Sequence, residues 1–327
     1  MKKIIRVLPY VLLVFVLAFT PLVAVNKTRA DDDFPVKTQQ YKRILTVWNI
    51  DTFEGGAGSR ADFLSKRAAE YCGDGLLIMV KSHTTESAKT AIEKGEVPSL
   101  ISYGAGAGFV APVVKKLKSR QFKFSDEYFV PWCGGGYFLI KKQGGNRPIE
   151  KLCVSDGENN LAAGALYFSD VEYSELISKT PENACYELIS DRADALLGTQ
   201  RDIRRLEVRN VAFTATPLET FSDLFQYISV TTSDAGAYEA AVGFIEYLLD
   251  TKTQAKTEKL YMMPAIGEVS AESPLAVYDR QKTLKTLSPF TPKETLENFK
   301  TELYECVKTQ KKCRSFENAL KEPSKCL

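Results

Sequence analysis

Histidine is nearly absent from this chain: His83 is the only one in 327 residues. A serine or cysteine nucleophile served by an imidazole base would have to use it, and no G-x-S-x-G turn accompanies it. His83 reads instead as a surface residue. No two of the seven cysteines have the C-x-x-C spacing of a zinc site, so neither metal binding nor any other cofactor is expected. The glycine-rich segments lack the Gly-Lys-Ser/Thr of a nucleotide-binding loop. The chain also lacks internal repeats and low-complexity tracts, and its net charge is only +2. No residue is assigned a catalytic role.

The basic residues are unevenly placed. Lys2, Lys3 and Arg6 precede the apolar run Val7–Val25, which marks residues 1–30 as a signal peptide or an uncleaved membrane anchor. Thr28-Arg29-Ala30 offers a small residue for cleavage before Asp31, and no cysteine nearby is available for lipid attachment. Five positive charges and no acid lie in that segment, so the rest of the chain carries −3. Such a body gives no electrostatic reason to bind nucleic acid. An odd number of cysteines in an exported chain leaves at least one thiol unpaired; Cys153 with Cys185, and Cys313 with Cys326, are conceivable bridges.

Beyond a polar linker (31–42), strands and helices alternate. Strands are expected at Ile44–Trp48, Leu76–Lys81 and Leu100–Tyr103, and helices at Arg60–Tyr71, Thr84–Lys94 and Phe109–Arg120. This rhythm predicts an α/β fold with a mostly parallel sheet. Val130–Lys142 carries three consecutive glycines before a strand from Tyr137. A second set follows: a strand at Lys151–Val154, helical stretches at Val171–Lys179 and Pro181–Ser190, a strand at Ala193–Gly198 and a helix over TQRDIRRLE. Asn210–Thr214 and Leu224–Thr231 are further strands. The apolar face of Tyr238, Ala241, Val242, Ile245, Leu248 and Leu249 marks a helix continued by Thr253–Leu260. Pro292–Cys313 is expected to form one more.

Candidate ligand contacts gather in loops at predicted strand ends, where open α/β sheets build their sites. Trp48 offers a ring for stacking, or a core tryptophan. Asp51 and Glu54 offer carboxylates for vicinal hydroxyls, or turn formers. Ser59 caps the helix that Arg60 opens, at an N-terminus able to dock an anionic group. Thr199, Gln200, Arg201 and Asp202 form a second polar loop, although Thr199 and Asp202 are also explained as a helix cap. Arg201 brings a planar fork suited to bidentate acceptors. Trp132 and Tyr137 flank the glycines at 134–136, which permit close backbone approach or wide dihedral excursions, and Tyr103 ends another strand.

VWNIDTFEGGAGSRADFL, PWCGGGYFLI, ALLGTQRDIRRLE and AVGFIEYLLDTKTQAKTEKLYMMP stand in an order that resembles the extracellular solute-binding proteins of ABC importers, the carbohydrate-type members above all. The resemblance spans about residues 43–270. It implies an α/β, two-lobe periplasmic-binding-protein-like fold of type II, with a hinge and an interlobe ligand cleft. Lobe 1 would comprise 40–139 plus 229–327, and lobe 2 140–228, with crossings at Gly136–Ile140 and Leu224–Val230. Trp48, Asp51 and Glu54 would face Thr199–Asp202 across the cleft. The implied protein is an extracytoplasmic, monomeric receptor, secreted or tethered by its N-terminal segment. It would deliver a small solute, a sugar being favoured, to ABC permease subunits. A sensor domain serving a signalling partner and a secreted glycoside hydrolase are the alternatives.

Overall fold

The computed structural model describes residues 41–50, 59–73, 75–119, 126–145, 147–157, 160–267, 269, 273 and 285–320. The chain divides into two compact units, 1–40 and 41–327, and everything below concerns the second. The N-terminal segment 1–30, nearly all of the linker, Asp51, Glu54 and Cys326 lie outside the described residues. Among the described residues, no helix is long and apolar enough to cross a membrane.

Strand β1 (Arg43–Ile50), helix α1 (Arg60–Tyr71), β2 (Leu76–His83), α2 (Thr85–Glu93), β3 (Leu100–Tyr103) and β4 (Val130–Gly134) begin a first sheet. The chain then enters a second sheet with β5 (Tyr137–Lys142), β6 (Lys151–Ser155), α3 (Ala162–Tyr167), β7 (Glu175–Lys179), α4 (Pro181–Ile189), β8 (Ala195–Thr199), α5 (Gln200–Val208) and β9 (Phe213–Leu218). It returns to the first sheet through β10 (Gln226–Val230), α6 (Ala235–Leu248), α7 (Thr251–Gln254) and β11 (Met263–Pro264), and ends with α8 (Lys293–Thr309) and α9 (Arg314–Ala319). The sheet orders are β2-β1-β3-β10-β4-β11 and β7-β6-β8-β5-β9.

Neither sheet is mostly parallel. β1 pairs parallel with β2 and β3, and β6 with β7 and β8, as the βα rhythm requires. The strands that arrive from the other sheet or return without a crossover helix, β10 and β5, pair antiparallel with both neighbours. Alternation along β1 gives each face its own core. Leu45 and Val47 pack with Phe63 and Leu64 of α1 and with Phe244, Ile245 and Leu248 of α6, while Trp48 and Ile50 pack with Ala88, Tyr103 and Tyr227 on the opposite face. In the second sheet, Leu152, Val154 and Leu197 meet α3, α8 and α9, and Cys153 and Leu196 meet α4 and α5.

Several sequence expectations are corrected. Val171–Lys179 is no helix: Glu175–Lys179 pairs residue by residue with Lys151–Ser155 as an edge strand. Among the described residues of the expected helix Phe109–Arg120, only Phe109 and Val110 are helical, in the single 3₁₀ turn Gly108–Val110. Beyond it the Lys115 and Leu117 amides donate to the carbonyls of Val230 and Glu127, partners remote in sequence. Asn210 takes a left-handed φ of 54°, so β9 starts at Phe213. Asp250 caps α7 and separates it from α6, and left-handed Gln310 splits α8 from α9. These last two helices bury Phe299, Leu303, Val307 and Phe316 in the second sheet's core. They therefore belong there, rather than with the first lobe as the boundary 229–327 has it. The sheets also exchange the chain between Gly134 and Tyr137 and between Leu218 and Gln226, a few residues from the expected boundaries.

Candidate functional site

The two crossings are tied to each other by hydrogen bonds. The Ser222 hydroxyl donates to the Gly135 carbonyl (2.8 Å), and the Tyr137 hydroxyl donates to Asp223 Oδ1 (2.6 Å). Asp223 Oδ2 also accepts from the Leu161 amide (2.9 Å). Burial raises the Asp223 carboxyl to about 6, against the lowering effect of those donors. Glycine at 135 answers to close approach: a Cβ there would lie 2.3 Å from Gln200 Nε2, and one at Gly134 would lie 2.9 Å from the Phe225 ring. None of the glycines at 134–136 has a positive φ. Gly135→Ala is thus expected to expel the Gln200 side chain and lower stability by about 1–3 kcal/mol, the usual cost of forcing extra atoms into a packed site. Chemical denaturation measures that loss, and Gly73→Ala, in open space without a positive φ, should stay within about 0.5 kcal/mol of wild type.

Beside this hinge lies a cavity of about 520 Å³ lined from both sheets. Arg60, Gly104 and Ala105 come from the first; Ser155, Asn160, Thr180, Thr199, Gln200 and Arg201 come from the second, with Phe225 and Met262 between. The lining residues of the second sheet follow the carboxyl ends of β6, β7 and β8, where the next helices begin. Thr199 and Asp202 form a reciprocal capping box at the start of α5, with the Thr199 amide donating to Asp202 Oδ2 (2.8 Å). Asp202 is fully buried and also accepts from Arg205 Nη1 (2.9 Å), so its role is structural. Gln200, 2% exposed, accepts from the Gly136 amide (3.1 Å) and donates to Met262 Sδ (3.1 Å), joining α5 to the hinge. Burial, then neighbouring Arg205, lowers the Arg201 guanidinium to about 10, which leaves it charged at neutral pH.

In the first lobe the same cavity is met by Arg60, at the first position of α1, with Ser59 behind it accepting from the Asp62 amide (3.1 Å). Arg60 Nη1 donates to Gln226 Oε1. Gln226 Nε2 in turn donates to Ser102 Oγ (3.2 Å), which also accepts from Trp132 Nε1 (3.1 Å). A buried polar chain therefore runs from the tryptophan to the guanidinium at the cavity wall.

Of the residues singled out from sequence, Arg60, Thr199, Gln200 and Arg201 line the cavity. The aromatic ones do not. Trp48 is 6% exposed in the core, with its ring 4.3 Å from that of His83, which is half-buried rather than a free surface residue. Tyr103 is buried with its hydroxyl 2.6 Å from Ser229 Oγ, and Trp132 and Tyr137 are buried in separate cores. Ser59 caps α1 without lining the cavity. Ser155, Asn160, Thr180, Asp223, Phe225 and Met262 were not anticipated. Thr180-Pro181 carries a legible signal, a cap followed by proline at the first helical position.

Among the described residues, one group of possible metal ligands converges, Glu302, Cys306 and Cys313, with ligand atoms within 4.8 Å of one another, on α8 and at the start of α9. All six described cysteines are unbridged, Cys153 and Cys185 included. Burial pushes the thiols of Cys133 and Cys153 up to about 12, as befits inert core residues.

No protein-family model matches the chain, and no curated protein matches it. Solved structures do. The spermidine/putrescine ABC transporter substrate-binding protein PotD from Streptococcus pneumoniae aligns with a TM-score of 0.56 at 11% identity, over 83% of this chain and 100% of that one. AttC from Agrobacterium tumefaciens C58, in an open unliganded conformation, gives 0.56 at 13%, over 82% and 99%. An ABC transporter substrate-binding protein from Bradyrhizobium japonicum gives 0.53 at 13%, over 80% and 98%. Likeness at such identities defines a fold. The chain has the two-lobe periplasmic-binding-protein-like α/β fold that the sequence implied, and its similar solved structures include ABC-transporter substrate-binding proteins.

Proposed function

We propose that this protein is an extracytoplasmic, non-enzymatic receptor that captures a small polar solute between its lobes and delivers it to an ABC permease. The observation that carries the reading is the 520 Å³ cavity whose wall is shared by Arg60 on the side of one sheet and Thr199–Arg201 on the side of the other, beside two tied crossings. A solute touching both walls favours the closed arrangement by its differential contacts. The N-terminal segment would serve as export signal or tether, and a single chain suffices for binding.

The carbohydrate expectation has less behind it than the receptor itself. It rests on stacking by Trp48 and hydroxyl capture by Asp51 and Glu54. Trp48 is a core residue, and among the described residues Phe225 is the one aromatic ring lining the cavity. A thermal-shift screen of the purified protein against mono- and disaccharides, polyols, amino acids, phosphonates and polyamines tests the reading. One class is expected to stabilise it by about 2.7 kcal/mol at a hundredfold excess over Kd, without turnover. Conversion of any of these compounds would refute the receptor reading.

A further inference from the structure

The described cysteines have unequal surroundings. Cys72 Sγ accepts from the Ile78 amide (3.2 Å), and the Cys185 thiol donates to Asp202 Oδ1 (3.5 Å). Cys133 and Cys153 are buried in separate cores. Cys306 and Cys313 instead face each other, with their sulfurs and an oxygen of Glu302 all within 4.8 Å.

The local chain path brings them together. Glu302 and Cys306 are four residues apart on α8 and so share a face. The Cys306 carbonyl accepts from the amides of Gln310 and Lys311, and Gln310, at a left-handed φ of 51°, reverses the chain. Cys313 then stands at the N-cap position of α9. Its amide donates to the Tyr167 hydroxyl (2.9 Å), which donates to Glu317 (2.6 Å), so the residue is held from its backbone side. Cys306 is half-buried and Cys313 buried.

Two thiols this close can share a metal ion or a covalent bond. A structural zinc ion takes four ligands. Three converge here among the described residues, and Glu302 already accepts from the Ser315 hydroxyl. A disulfide needs only the two sulfurs, and rotation about a Cα–Cβ bond moves a sulfur on the scale of their separation.

We propose that Cys306 and Cys313 form a disulfide that staples α9 to α8, made by thiol–disulfide exchange with a glutathione-type disulfide. The half-buried Cys306 thiolate attacks the oxidant and releases one thiol. Cys313 then displaces the second thiol from the mixed disulfide, and the two cysteine protons leave on the released thiols. The oxidising compartment comes from the export part of the receptor reading, on which the proposal rests. The staple acts near the hinge: Phe316 of α9 packs 5.4 Å from Phe221, the residue before Ser222, which ties the returning crossing to Gly135.

The test uses the purified full chain, reduced, freed of metal with a chelator, exposed to oxidised glutathione, alkylated, and digested with trypsin under non-reducing conditions. Residues 301–308 are expected to be recovered joined to residues 313–314. The oxidised protein should melt about 5 °C above the reduced one. That difference should vanish in Cys306→Ser, whose half-buried site keeps the test available where Cys313→Ser fails to fold, and persist in Cys326→Ser. Recovery of both thiols alkylated after oxidation, or of Cys313 joined to Cys326, would overturn the assignment. So would one equivalent of zinc retained by the untreated protein and lost in Cys306→Ser, which would make the cluster a metal site. A bridge that leaves the melting temperature unchanged would overturn the stapling role. A bridge that forms in vitro but is missing from protein alkylated at lysis of the cells that make it would keep the pair and contradict export.

Discussion

Trp132→Ala is expected to destabilise the protein by about 3–5 kcal/mol, the range for deleting a large buried aromatic. The ring is fully buried, stacked on Phe63 at 5.6 Å, and its Nε1 donates to Ser102 Oγ. Its carbonyl accepts from Gln254 Nε2 (3.0 Å), so the residue fastens β4 to α7 as well. The substitution opens a cavity and frees Ser102, and through Gln226 it loosens the orientation of Arg60. Urea titration measures the loss. Were Trp132 a stacking platform for solute, the alanine variant would instead keep its stability and lose affinity.

Acidification provides the second large effect, through Asp223. Its carboxyl is raised from 3.8 to about 6 in the folded protein because burial penalises the anion more than Tyr137 and Leu161 stabilise it. The folded state therefore holds this proton more tightly than the unfolded chain does. The resulting stabilisation is complete below the unfolded value near 3.8 and is lost as pH rises through 6. At 1.36 kcal/mol per pKa unit it amounts to about 3 kcal/mol at most. Carboxylates such as Glu70 and Glu86 are shifted downward and act in the opposite sense, so the difference between wild type and Asp223→Asn isolates the effect. Relative to the variant, the wild type should gain stability on going from pH 7.5 to pH 4. A difference that stays flat across that window would show that Asp223 is not desolvated at the hinge.

Local signals in the sequence were reliable where local interactions decide the structure. Ser59 and Arg60 open α1 and Tyr71 closes it as expected, and Thr199 with Asp202 forms the cap that the spacing implied. The failures have non-local causes. ELISK became a parallel edge strand because β6 lay ready to pair with it, and the stretch after Val110 gave its amides to Val230 and Glu127. The site follows the same division. Arg60, Gln200 and Arg201 sit where a strand end meets a helix start, a place that sequence marks. Trp48, Tyr103, Trp132 and Tyr137 lie on strands covered on both faces, and such double burial cannot be seen in one strand alone. Asn160, Thr180 and Asp223 reach the cavity through contacts that only the assembled sheets create.

The receptor account stands or falls on closure. Small-angle scattering of the protein, with and without the solute that stabilises it most in the thermal screen, measures closure directly. A fall in radius of gyration that saturates at one equivalent, and that is absent when Arg201 is replaced by glutamine, is the predicted result. Saturable binding with an unchanged radius of gyration would contradict it.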